Sequence, residues 1–224
     1  MANIATPLDS PYYPYSKTED YAGYKGIEAI PRKIITYLCD MPLGNYTPPD
    51  NNAYPRCRLM KYLCNDGPDP LSGKLPTPQE KIALIYKADC PMGKSGNGYR
   101  LFPLSYTPQS QTDAATSIRC YMGRTVATNV FTSQLSIVFE ILTSYAYDTN
   151  LTTEVYSRSY AMEQAILESL CGVNMAGVGT FYFDRRQHPD CGSYPIDDGT
   201  GMNVGRRLTL GLSYTDSEGD KWTT

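Results

Sequence analysis

The stretch Gln134-Leu-Ser-Ile-Val-Phe-Glu-Ile-Leu142 decides the fold class, because its apolar residues recur at every second position. Side chains of a β-strand alternate between the two faces of a sheet, so an apolar set at this spacing covers one face. Ser136 and Glu140 fall on the opposite face, with Val138 between them. The pattern predicts a strand whose buried face carries Leu135, Ile137, Phe139 and Ile141.

Shorter apolar runs on either side of this stretch predict further strands. Residues 82–86 form a compact apolar run, and residues 99–106 are its expected partner across a turn at 93–98. Residues 117–121 and 178–183 are also β-like, whereas 184–205 is polar and Gly-rich and predicts a loop. The last strand is expected to be half-buried, because its apolar residues alternate with more polar ones: Leu208, Leu210, Leu212 and Tyr214.

Helical spacing appears in three segments. A helix is expected to begin near Pro31, with an apolar stripe at Ile30, Ile34, Ile35 and Leu38. A shorter helix covers 58–63, and the strongest pattern covers 154–171, capped by Thr152 or Thr153 and ended by Gly172. In that last helix Val155, Met162, Ile166 and Leu170 form the apolar stripe, and the charged residues Arg158, Glu163 and Glu168 are expected mostly on other faces.

The order of these segments predicts an α+β fold. Runs of strands separated from the helices favour an antiparallel or mixed β-sheet with helices packed on one face. We expect a single domain over 27–215 with long loops, an extended arm over 1–26 and a C-terminal tail over 216–224. The 224 residues, of which 41% are hydrophobic and 19% charged, are sufficient for one substantial core.

The tyrosine content points to protein–protein contacts. The chain has 20 Tyr against 5 Phe and 1 Trp, and tyrosine is enriched at interfaces because it combines a large rigid surface with a polar tip. Tyrosine on half-buried strands is an equally good reading. The Pro- and Tyr-rich arm is a candidate interface, either with its own domain or with a neighbouring subunit, through Tyr12, Tyr13, Tyr15, Tyr21 and Tyr24.

Charge and cysteine usage exclude several classes. The net charge is -3 without a basic run, which does not favour DNA or RNA binding through phosphate contacts. Seven irregularly spaced cysteines do not suggest a disulfide scaffold, and Cys39 and Cys171 are expected to be small buried hydrophobes on helix faces. Neither a signal peptide nor a run long enough to cross a membrane is visible, so the chain is expected in the cytosol at first.

One motif raises an enzymatic alternative. Ala88 to Ser95 fits a relaxed phosphate-binding loop, in which Lys94 would meet the β- and γ-phosphates and Ser95 a magnesium ion. Such a loop needs a helix after it, but Gly96-Asn-Gly98 and a strand-like segment follow here, so a hairpin turn is the better interpretation. Glu140 stands where the second, acidic motif of such an enzyme could lie.

His188 is the single histidine, and the sequence favours a surface loop for it. A metal site with Cys191, or a Cys191–His188 nucleophile pair, is conceivable, but Pro189 between them favours a turn. Asp197-Asp-Gly199 lacks the spacing of a calcium loop and predicts an acidic turn. We therefore expect no catalytic residues, no bound metal and no cofactor.

The C-terminal half carries a set of short motifs over about residues 118–215. These are Ile118 to Gly123, the strand at 135–141, Ser157-Arg-Ser159 opening a helix, Ala165 to Leu170, Val173 to Phe183, and a strand after a glycine at Val204 to Leu210. In this order the motifs resemble the neck and tail-terminator proteins of tailed bacteriophages.

This resemblance implies a non-enzymatic virion protein that assembles in the host cytoplasm into a ring, commonly a hexamer, at the head–tail junction. Its partners would be copies of itself, other neck and tail proteins, and DNA that passes through the lumen without specific binding. Two alternatives remain: a nucleotide-binding enzyme that uses Lys94, and a cytosolic protein-binding module with Tyr-rich surfaces.

Overall fold

The computed structural model describes residues 27–39, 50–86, 98–105, 116–128, 132–149, 156–175, 178–197, 199 and 203–215. The helices are α1 Ile30–Leu38, α2 Pro55–Cys64, α3 Pro78–Leu84, α4 Tyr145–Thr149 and α5 Arg158–Leu170. The strands are β1 Leu101–Phe102, β2 Ser117–Ala127, β3 Thr132–Ser144, β4 Asn174–Met175, β5 Gly179–Tyr182, β6 Gly192–Asp197 and β7 Asn203–Thr215.

The strands form one mixed sheet in the order β1-β2-β3-β7-β5-β4, and β6 pairs with β7 beside β5. The three long strands β2, β3 and β7 are antiparallel, whereas β1 pairs with β2 in parallel. The predicted α+β class with a mixed sheet is confirmed. The long central strands carry the core, because both of their edges are paired and one face is covered.

The alternating residues of β3 form the centre of that core. Leu135, Ile137, Phe139 and Ile141 are all fully buried, as the sequence predicts. The register places Phe139 between Cys120 of β2 and Leu208 of β7, so the apolar faces of three strands coincide. Helices α1 and α5 pack on this side of the sheet and bury it with their own apolar stripes.

Residues 82–86 do not form the expected strand. Most of the run belongs to helix α3, and only Ile85 makes an isolated bridge, to Leu101. Thr77 and Glu80 explain the difference, because they form a reciprocal capping box. The Thr77 N–H donates to Glu80 Oε2 at 2.7 Å, and the Glu80 N–H donates to Thr77 Oγ1 at 3.3 Å. This local signal outweighs the short apolar run.

Replacing Thr77 with alanine should lower the free energy of unfolding by about 1 kcal/mol, because the first turn of α3 loses its cap. Urea denaturation followed by circular dichroism measures the change. Thr36→Ala is a matched control, since Thr36 is exposed inside α1 and bonds only to Arg32 O of its own helix. Equal effects of the two substitutions would contradict the capping role.

Helix α5 begins later than the sequence suggests. Its cap is Ser157, whose hydroxyl accepts the Tyr160 N–H, rather than Thr152 or Thr153, which lie outside the described residues. Gly172 follows the helix with φ +75°, which confirms the predicted left-handed end. Cys39 is buried as expected, but Cys171 is exposed, because it lies beyond the last turn of α5.

The expected loop 184–205 contains a strand, β6. Its sequence Gly192-Ser-Tyr-Pro-Ile-Asp197 has no clear alternation, because within the described residues this strand pairs only with β7 and lies at the margin of the sheet. Proline is tolerated at such a margin, where the missing N–H faces away from the sheet. The predicted arm 1–26 and tail 216–224 lie outside the described residues.

Candidate assembly surface

We call the sheet face that points away from α1 and α5 the outer face, and define it by Arg119, Tyr121, Glu140, Tyr194 and Arg207. These residues alternate along their strands with the apolar residues under the helices. The register places Glu140 directly opposite Arg119 on β2 and Arg207 on β7. Three charges from three adjacent strands therefore form one row across the sheet.

Glu140 is the centre of this row and is only 4% exposed. Its Oε1 accepts hydrogen bonds from Arg207 Nε at 2.8 Å and from Tyr121 Oη at 2.9 Å, and also pairs with Arg207 Nη2. Arg119 Nη1 lies 3.2 Å from Oε2. A buried carboxylate needs such partners, because removing it from water costs several kcal/mol of folding free energy.

The pKa shifts follow from this arrangement. The hydrogen bond to Glu140 raises the pKa of Arg207. Burial, together with the hydrogen bond to the Glu140 carboxylate, raises the pKa of Tyr121 to about 12. The tyrosine hydroxyl therefore remains a donor, and the arginine remains charged, over the whole physiological pH range. The network positions side chains and keeps them in one protonation state.

Tyr194 forms an aromatic rim beside this network. Arg207 Nη1 donates to its hydroxyl at 2.8 Å, and the guanidinium carbon lies 5.6 Å from the ring centroid. The residue is nevertheless 46% exposed. Tyrosine held in one orientation loses little conformational freedom on binding, which is typical of contact residues at protein interfaces.

Residues 184–191, which we call the 184–191 loop, lie over the opposite end of the outer face. Asp190 Oδ2 accepts the Ser136 hydroxyl at 2.9 Å, which ties the loop to β3. His188 packs on Gly211 of β7, where a Cβ would lie 2.5 Å from the Cβ of His188. The prediction of an exposed histidine is wrong: His188 is 5% exposed, and burial lowers its pKa, so it is neutral at pH 7.

Two buried side-chain nitrogens on this face have no hydrogen-bond partner among the residues that the structure describes, Arg119 Nε and His188 Nδ1. A buried polar atom without a partner costs roughly 1–3 kcal/mol, so such atoms are uncommon in native folds. Both belong to side chains on the outer face or to the loop that covers it. Among the described residues, the fully buried side-chain nitrogens without a partner thus lie in this part of the molecule.

A second feature is a cleft of about 410 Å³ between the start of α5 and the β6–β7 pair. Its polar lining includes Asp148, Asp197 and Arg206, together with Ser157 and Ser159. Arg206 is already engaged, because its Nε donates to Glu163 Oε2 at 2.5 Å and its Nη2 donates to Ser193 Oγ at 2.8 Å. The carboxylates of the two aspartates dominate the remaining charge.

Sequence reasoning missed the buried roles of Arg158 and Glu163. Arg158 is 1% and Glu163 3% exposed, although both were expected on polar helix faces. Helical spacing gives the direction of a side chain but not its partner, and their partners come from distant segments. Arg158 bonds to carbonyls near the end of α2, and Glu163 to residues of β6 and β7.

Other predicted residues have mixed outcomes. The five arm tyrosines, Lys94 and the whole 88–95 motif lie outside the described residues. The acidic turn at Asp197 is confirmed, since its Oδ1 accepts the Gly199 N–H at 2.8 Å and Gly199 has φ +74°.

No cluster of three or more metal-ligating His, Cys, Asp or Glu occurs among the described residues. None of the helices in this part of the chain has the length and apolarity to cross a membrane.

Comparison with known proteins gives one family. No curated protein and no solved structure matches the chain. The model of the YomW family matches residues 57–209, a span that includes most of α2, all of β2, β3 and α5, the first part of β7 and the five residues that define the outer face. YomW is a phage-region protein of Bacillus, of the SPbeta-like type. Because the match covers more than half of the 224 residues, the chain belongs to the YomW family and is a phage-associated protein.

Proposed function

We propose that this chain is a structural virion protein of the phage head–tail junction, a tail terminator or neck protein that forms a ring for DNA passage. The phage-associated family and the resemblance of residues 118–215 to neck and tail-terminator proteins support the proposal. In this role it has no enzymatic activity, and its partners are copies of itself and neighbouring neck or tail proteins.

The observation that carries the proposal is the outer face. It presents the exposed, oriented Tyr194 beside a row of paired charges from three adjacent strands. Its carboxylate and arginines bond to one another, so they shape a surface rather than await a substrate. A docking protein that covers the ring of Tyr194 gains contact area at little conformational cost.

Electron microscopy of phage particles carrying a labelled copy of the chain tests the location directly. Label at the junction between head and tail is the expected result. Label on the tail tip or capsid shell, or its absence from particles, would remove the proposal. The same preparation shows whether the copies form a closed ring.

Tyr194→Ala should reduce the yield of joined particles about tenfold, because an interface tyrosine contributes roughly 1–2 kcal/mol to binding. Counting joined particles against free heads and tails measures the effect. The matched control is Tyr54→Ala, since Tyr54 is similarly exposed at 53% but precedes α2, away from the outer face. Equal yields from the two variants would show that the outer face does not mediate joining.

A further inference from the structure

The described surface carries two charged regions of opposite sign at the two ends of β6. The basic one is the tip of the 184–191 loop, where Arg185 and Arg186 are both exposed. The turn beneath them is held by the Asp184 side chain, whose Oδ1 accepts the Arg186 N–H at 2.9 Å. Neither guanidinium has a hydrogen-bond or ion-pair partner among the described residues.

The acidic region is the cleft at the start of α5. Asp148 is 8% exposed, and its Oδ1 accepts the Ser159 N–H at 2.8 Å. Its other oxygen, Oδ2, has no hydrogen-bond partner among the described residues, and Asp148 lines the cleft. Asp197 lies on the opposite wall. A mostly buried carboxylate with a vacant oxygen favours a cationic group that enters the cleft.

The remaining lining suits the stem of an arginine side chain. Pro195, Ile196 and Val204 give the cleft apolar walls. Arginine places its methylene groups along such surfaces while its planar guanidinium reaches carboxylate oxygens, often two at a time. Since Arg206 is neutralised by Glu163, it does not repel an incoming cation strongly.

The two regions of one chain are too far apart to meet. Gly192, next to the loop, pairs with Thr209 of β7, whereas Asp197 pairs with Val204. Gly192 and Asp197 are five steps apart along β6, and at roughly 3.3 Å per step this separates the loop from the cleft by about 17 Å. Between copies, the two patches can pair reciprocally about a two-fold axis or head to tail, and the head-to-tail arrangement is the contact that a closed ring requires.

We propose that the 184–191 loop of one copy inserts Arg185 or Arg186 into the Asp148–Asp197 cleft of the next copy. This inference rests on the proposed function, because it names the contact that joins the subunits of the ring. The guanidinium lies between the two aspartates, and the rotation relating successive copies closes the ring. Partial burial makes this pair stronger than a fully exposed one.

Charge reversal in trans tests the contact. One variant carries Arg185→Glu and Arg186→Glu, which reverses the loop and leaves the cleft intact. The other carries Asp197→Lys, which replaces the exposed carboxylate of the cleft with a cation and leaves the loop intact. Each is expected to self-associate at least tenfold more weakly than the unmodified chain, in sedimentation velocity at low salt. An equimolar mixture is expected to recover association, because the glutamates of the first variant can pair with the lysine introduced in the second, and the unchanged arginines of the second can enter the unchanged cleft of the first.

Lys74→Glu is the control, since Lys74 is exposed in the segment before α3 and outside both regions. Association of the single variants at the unmodified level, failure of the mixture to recover, or an unmodified chain that stays monomeric at all concentrations would each overturn the inference. If both variants unfold at the same temperature as the unmodified chain, misfolding is excluded as the cause of weaker association. A ring seen at the junction in particles, together with an ineffective charge reversal, would reject this contact and leave the proposed function in place.

Discussion

Arg158→Met is expected to lower the free energy of unfolding by about 4 kcal/mol, one of the two largest effects of a single substitution in this chain. Arg158 is 1% exposed and donates to four backbone carbonyls. Three belong to the end of α2 and the residues after it: Tyr62 at 3.1 Å, Asn65 at 2.7 Å and Gly67 at 2.6 Å. The fourth, Tyr147 of α4, lies 3.2 Å from Nε.

The physical reason is that the last carbonyls of a helix have no partners within it. Their partial negative charge favours a cation, so Arg158 satisfies hydrogen bonds and the helix dipole of α2 at once. Methionine fills a similar volume but donates nothing, which leaves these buried or half-buried acceptors unpaired. Burial lowers the pKa of Arg158, but an arginine remains charged, so its role does not change with physiological pH.

The matched control is Arg58→Met, because Arg58 also joins α2 to α5. It does so through an exposed pair with Glu168 and should cost less than about 1 kcal/mol. Chemical denaturation of the two variants with equal m-values provides the comparison. Similar losses for both would show that bridging α2 and α5, rather than satisfying the carbonyls, is what Arg158 contributes.

The contrast between β3 and α3 shows which features the sequence could predict. Strand β3 is recognisable because one of its faces is buried under helices along its whole length, so its apolar residues recur at every second position. The run at 82–86 is too short for its period to separate helix from strand. The deciding signal was the Thr77–Glu80 capping box, which lies outside the apolar run itself.

The charged residues show what a pattern cannot give. Glu140 and Arg207 are 67 positions apart and meet because β3 and β7 are neighbours in the sheet. Nothing in either local sequence specifies that pairing. The possible role of Glu140 as the acidic residue of a nucleotide site is also less favourable, since both of its oxygens already contact arginines or tyrosine. The cleft and the outer face likewise depend on topology rather than on motifs.

Glu140→Gln is the second substitution with a large expected effect, a loss of about 3–5 kcal/mol in the free energy of unfolding. Glutamine keeps the shape of the side chain but removes the charge that compensates two arginines, and its amide nitrogen would face one of them. The exposed fraction of Glu140 is 4%, so water cannot replace the lost carboxylate. Glu168→Gln is the control, because that carboxylate is about half exposed and pairs only at the surface.

A double-mutant cycle separates the pair from its surroundings. If the Glu140–Arg207 interaction dominates, then Arg207→Met in the Glu140→Gln background should cost clearly less than Arg207→Met alone. Strict additivity would mean that Glu140 stabilises the sheet without this arginine. Because Glu140 is buried whereas the Arg207 side chain is 37% exposed, added salt should weaken their coupling energy less than it weakens the association of copies through the 184–191 loop. Measuring the salt dependence of the coupling energy and of self-association on the same variants therefore distinguishes the charges that stabilise the sheet from those that join one copy to the next.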